Sequence, residues 1–142
     1  MRVIRTLLTT IVVLSSLNFG YCANLDTLAN WQIYYAGELI TAGHEFISNQ
    51  KIGSLKLKDQ TDKLQIYYRY DAVKPEWRTI KIVSGFDTLY DATQQLKDNH
   101  PHLIDLNKLI GNREGTLEIK IYYTDDITSE KNRLIGTIKL ET

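Results

Sequence analysis

The sequence predicts a mostly β fold: an antiparallel β-sandwich of about seven strands, with one or two short helices in the 87–110 region. Three observations carry this expectation. Several segments alternate apolar and polar residues with period two. Turn-forming residues separate those segments at short intervals. The 142 residues, 43% hydrophobic and 24% charged, suit one globular domain better than a disordered chain or a membrane bundle.

The chain opens with a different pattern. Arg2 and Arg5 precede a mostly apolar, uncharged run over residues 7–17, and small residues follow at Gly20 and Cys22. This is the layout of a secretory signal peptide, expected over residues 1–22 with cleavage after Cys22, and it leaves one β-sandwich-like domain over 23–142. The apolar run is shorter than the roughly 20 residues a membrane-spanning helix needs. The expected location is secreted or periplasmic. Acylation of Cys22 would anchor the chain to a membrane instead, but the bulky Tyr21 fits that processing poorly.

The leader holds two of the 17 Lys and Arg and none of the 17 Asp and Glu, so the remainder carries a net charge of −2 with histidine neutral. A near-neutral domain without a basic block argues against nucleic acid and gives no support for an anionic membrane surface. No cysteine follows residue 22, which rules out disulfide staples and thiol chemistry in the domain. That fits a bacterial envelope or secreted protein better than a disulfide-stapled eukaryotic module.

The elements follow in order. A first strand begins at Trp31, with Trp31, Ile33 and Tyr35 on one face, and Gly37 marks a bulge or turn. Residues 38–41 extend it or form the next strand, Ala42-Gly43 reads as a turn, and residues 44–48 as a weak strand. Residues 54–58 alternate, as do residues 63–71 with Leu64, Ile66, Tyr68 and Tyr70 on one face. The polar link between these runs reads as a β-hairpin. After Pro75, residues 77–84 form a strand with Arg78, Ile80 and Ile82 on one side. Leu89, Ala92, Thr93 and Leu96 have helical spacing, with Asp87 as N-cap, and residues 103–110 give a second short helix. From Gly115 a long strand places Leu117, Ile119, Ile121 and Tyr123 together. After a polar loop, residues 133–141 form the last strand, with Leu134, Ile138 and Leu140 inward.

Three features are candidates for function. Ile-Tyr-Tyr occurs at residues 33–35, 66–68 and 121–123. Alternation turns each middle tyrosine outward, so Tyr34, Tyr67 and Tyr122 would form one aromatic patch if their strands were neighbours. Such a patch suits an exported, non-catalytic binding module for a protein, peptide or glycan. His100 and His102 flank Pro101 and are the candidate ligands of a metal-binding protein or hydrolase, although a closed metal site needs three or four convergent ligands. Tyr68, Tyr70 and Tyr123 beside Leu64 and Ile119 would line the cavity of a ligand-carrying barrel, or fill a core. The common nucleophile, zinc and phosphate-loop motifs are absent, and nothing in the sequence implies a cofactor.

Overall fold

The computed structural model describes residues 29–44, 52–57, 62–71, 75–95, 100–128 and 130–141. The expected leader, including Cys22, and residues 45–48 of the expected weak strand over 44–48 lie outside the described residues; His44 ends β2. The described chain is mostly β and folds as two stacked sheets. Its elements are β1 (Ala29–Tyr35), β2 (Glu38–His44), β3 (Ile52–Lys56), β4 (Lys63–Tyr70), β5 (Trp77–Ser84), β6 (Asp87–Gln95), β7 (His102–Asp105), α1 (Leu106–Ile110), β8 (Thr116–Asp125) and β9 (Arg133–Glu141). One sheet has the order β2-β1-β4-β7, the other β3-β9-β8-β5-β6. Among the described residues, no helix is long and apolar enough to cross a membrane.

Alternation builds the core. Trp31, Ile33 and Tyr35 of β1 and Leu64, Ile66, Tyr68 and Tyr70 of β4 are buried from one sheet. Ile80 and Ile82 of β5 meet them from the other sheet, with Ile119, Ile121 and Tyr123 of β8 and Ile138 and Leu140 of β9. Rings cross the interface: Tyr68 stacks on Tyr123 with centroids 3.6 Å apart. Trp31 stacks on Tyr68 within its own sheet at 5.7 Å. The ligand-carrying barrel expected as one alternative is therefore replaced by a filled sandwich, with Tyr68, Tyr70 and Tyr123 packed on one another.

Polar ties also join the sheets. Tyr70 donates to Asp125, Arg133 Nη1 donates to Tyr68 Oη at 2.9 Å, and the Tyr90 hydroxyl lies 2.8 Å from His102 Nε2. Asp125 also accepts from the Thr128 amide at 2.7 Å, the Thr128 hydroxyl at 3.0 Å and the Ile127 amide at 3.0 Å. Burial alone would raise its carboxyl; the donors, led by the Thr128 amide, outweigh that and hold it below the usual carboxylate range.

Several expectations need correction. Residues 87–95 form a strand, not a helix; they return from β5 through a two-residue link containing Gly85. The helix over 103–110 shrinks to α1, because residues up to Asp105 pair with β4 and Asp105 caps α1 by accepting from the Lys108 amide. β3 and β4 do not form a hairpin: β3 runs parallel to β9 in the opposite sheet, so the pairing is not wholly antiparallel. Ala42-Gly43 is not a turn but lies within β2. Glycine is required there because a Cβ at Gly43 would sit 2.7 Å from the Trp31 ring. The inward residue at the start of β9 is Ile135, while Leu134 pairs with outward Tyr122.

Candidate functional site

The outward residues of β1 and β4 form a compact polar-aromatic cluster. The strands pair antiparallel, with Gln32 opposite Tyr67, Ile33 opposite Ile66 and Tyr34 opposite Gln65. Residues directly opposite share a sheet face, so two Gln-Ile-Tyr-Tyr segments become related by a local two-fold axis through the Ile33–Ile66 pair. Each outward tyrosine leans back along its own strand. Tyr34 Oη donates to Gln32 Oε1 at 3.3 Å, and Tyr67 Oη donates to Gln65 Oε1 at 3.5 Å. The two rings meet edge to face, 5.7 Å apart at 84°. The Arg69 guanidinium lies over the Tyr67 ring, 5.6 Å from its centroid.

These side chains and Gly37 line an open concavity of about 340 Å³. Apolar residues flank it. Leu39 of β2 is opposite Tyr34, and Leu103 of β7 is opposite Gln65, so Leu39, Tyr34, Gln65 and Leu103 form one row across all four strands. Leu39 and Leu103 are 53% and 49% exposed, which makes this row the apolar ridge of the face.

Tyr122 does not join the cluster. It lies on β8, in the other sheet, opposite Lys81 and beside Asn132 and Val83. The three-tyrosine patch required neighbouring strands, and only Tyr34 and Tyr67 meet that condition. Charged residues occupy the outer face around Tyr122: Lys81, Asp91, Glu118, Lys120 and Lys139.

The two histidines go separate ways. His100 is exposed. His102 is buried between the sheets, where desolvation lowers its pKa from 6.5 to about 4, so the ring is neutral and bonded to Tyr90. Among the described residues, no group of three or more His, Cys, Asp or Glu side chains is placed to hold a metal ion. His102 instead lines a partly open, water-sized void of about 10 Å³ shared with Arg78, Tyr123, Tyr68, Ile66 and Ile80. This void belongs to the core and lacks room for an organic substrate.

Sequence reasoning missed the two glutamines, Arg69's position on the ring and the flanking leucines. One signal was available: Gln precedes Ile-Tyr-Tyr at residues 32 and 65, whereas Lys120 precedes the third copy. The shared glutamine marks the two copies that pair.

Fold and site together define a two-sheet β-sandwich with a tyrosine-glutamine cluster on the outer face of its smaller sheet. Comparison with protein-family models, curated proteins and solved structures finds no match to this chain.

Proposed function

We propose that this chain is an exported, non-catalytic binding module that engages a protein partner through the outer face of the β2-β1-β4-β7 sheet. The observation that carries the reading is the contrast between the two outer faces. One gathers Tyr34, Tyr67, Arg69, Leu39 and Leu103 around two glutamines, with the charged pair Lys63 and Asp105 at its end; the other interleaves Lys81, Lys120, Lys139, Asp91 and Glu118 around Tyr122 and exposes its apolar residues singly, Ile52 on β3 and Trp77 at the start of β5. Tyrosine and arginine are enriched at interface cores, where lysine and acidic residues are depleted because desolvating them is unfavourable. Export rests on the leader pattern of Arg2, Arg5 and the apolar run over 7–17.

A specific observation favours protein over glycan. Sugar rings stack on flat, open aromatic faces. Here the two rings are perpendicular, and Arg69 covers one face of Tyr67, so no flat platform is presented.

The test compares capture by immobilised protein in three forms: unaltered, Tyr34→Ser/Tyr67→Ser, and Tyr122→Ser. The double variant is expected to lose a partner that Tyr122→Ser retains. Its fold should survive, since the two rings are half-buried on the outer face and a cross-strand aromatic pair contributes only about 0.2–1 kcal/mol. Undiminished capture by the double variant, or loss on Tyr122→Ser, would remove the reading.

A further inference from the structure

We infer that the concavity between Tyr34, Tyr67 and Arg69 is a carboxylate-binding site, which seats an Asp or Glu side chain of the partner. This rests on the binding face proposed above and names the chemistry it reads.

The inference follows from counting donors and acceptors. Each tyrosine hydroxyl gives its hydrogen to a glutamine Oε1, on Gln32 and on Gln65. That occupies one of the two lone pairs on each amide oxygen and leaves both hydrogens of each Nε2 group to donate, so donors outnumber the remaining acceptors. Among the described residues, neither Nε2 group has a hydrogen-bond partner. Arg69 supplies a guanidinium with donors only, permanently charged. It lies over the Tyr67 ring, 5.6 Å from the centroid, and has no carboxylate partner among the described residues. The residues lining the concavity, Gln32, Tyr34, Gly37, Gln65, Tyr67 and Arg69, include no acid.

The site is therefore donor-rich and carries a positive charge without a counter-charge in its lining. Its complement is an acceptor with negative charge. A carboxylate has two oxygens that can take the guanidinium fork and one or both amides at once. The tyrosine rings wall the site and hold the amides in place, and the cation–π contact with Tyr67 keeps the guanidinium beside it. The local two-fold places one Gln-Tyr pair on each side of the concavity, so a carboxylate arriving from either direction along the strands meets an amide donor.

The test uses side-chain amide and guanidinium NMR signals of the full protein. The probes are the peptides acetyl-Gly-Glu-Gly-amide and acetyl-Gly-Gln-Gly-amide, and inorganic phosphate. The glutamyl peptide should shift the Gln32, Gln65 and Arg69 signals. It should bind at least about tenfold more tightly than its uncharged isostere, the scale of one charge-assisted contact. Arg69→Gln should weaken it by a similar factor, while Tyr122→Ser should leave it unchanged. Equal response to both peptides, no response, or preference for phosphate would overturn the assignment. If partner capture still depends on Tyr34 and Tyr67 while the glutamyl peptide fails, the binding face stands and only the carboxylate assignment falls. Loss of dependence on the tyrosines would remove the face itself.

Discussion

His102 lies at the edge of the four-stranded sheet with 1% exposure, and its Nε2 meets the hydroxyl of Tyr90 from the edge of the opposite sheet. Burial lowers its pKa to about 4, below the ordinary 6.5. The folded state resists a proton that the unfolded chain accepts. Stability is therefore complete above about pH 6.5 and declines as pH falls toward 4, with no further loss from this group below that. Over that window the decline amounts to about 3 kcal/mol, at 1.36 kcal/mol per pH unit. Urea unfolding between pH 4 and 7 should show this slope, and His102→Phe should flatten it; identical slopes would contradict the assignment. The sequence presented His100-Pro101-His102 as a pair. It did not reveal that Pro101 directly precedes a strand that turns His102 inward, because that depends on pairing with Ile66 on β4. Asp125, the last residue of β8, is a second buried polar group. The bond from Tyr70 makes it a structural anchor, and burial of the Tyr70 hydroxyl, followed by that bond, pushes the hydroxyl pKa up and keeps it a donor.

At the scale of elements, the alternation was legible wherever the ladder is regular. It slips at three places, each a β-bulge. Ile33 and Tyr34 pair with Thr41 and Leu39, skipping Ile40; Ile82 and Val83 pair with Tyr90 and Thr88, skipping Leu89; Ile121 and Tyr122 pair with Gly136 and Leu134, skipping Ile135. Every skipped residue is apolar and buried or packed against the core. A bulge changes the phase of the strand, so period two breaks into spacings of three and four. That is why residues 87–95 resembled a helix and why Leu134 stood in for Ile135. The β1–β2 turn carries a further sign of local compromise. Ala36 and Gly37 both have positive φ, at 50° and 79°, as a type I′ hairpin demands, yet only glycine adopts this without penalty. Ala36→Asn should raise stability by about 0.5–1 kcal/mol, since asparagine tolerates the left-handed region. A higher urea midpoint with an unchanged slope is the expected readout, and a lower midpoint would contradict the turn geometry.

For the whole molecule, strand order decides which outward side chains share a face. The outward direction of Tyr34, Tyr67 and Tyr122 was readable from alternation, but their grouping was not. Which strands become neighbours is set by long-range packing of the two sheets, and that packing separates Tyr122 from the other two. The same order brings Leu39 and Leu103, distant in sequence, into one row with Tyr34 and Gln65. It also clusters aromatic and apolar groups on the outer face of the smaller sheet, whereas on the larger sheet exposed Ile52 and Trp77 stand apart among charged residues. The central claim is that the first face is the one a partner covers. Tyrosine nitration footprinting, read by mass spectrometry with and without the captured partner, tests it most directly. Buried Tyr35, Tyr68 and Tyr123 serve as unreactive references. The account predicts that bound partner protects Tyr34 and Tyr67 while Tyr122 is modified equally in both states. Protection of Tyr122 with Tyr34 and Tyr67 still reactive would contradict it.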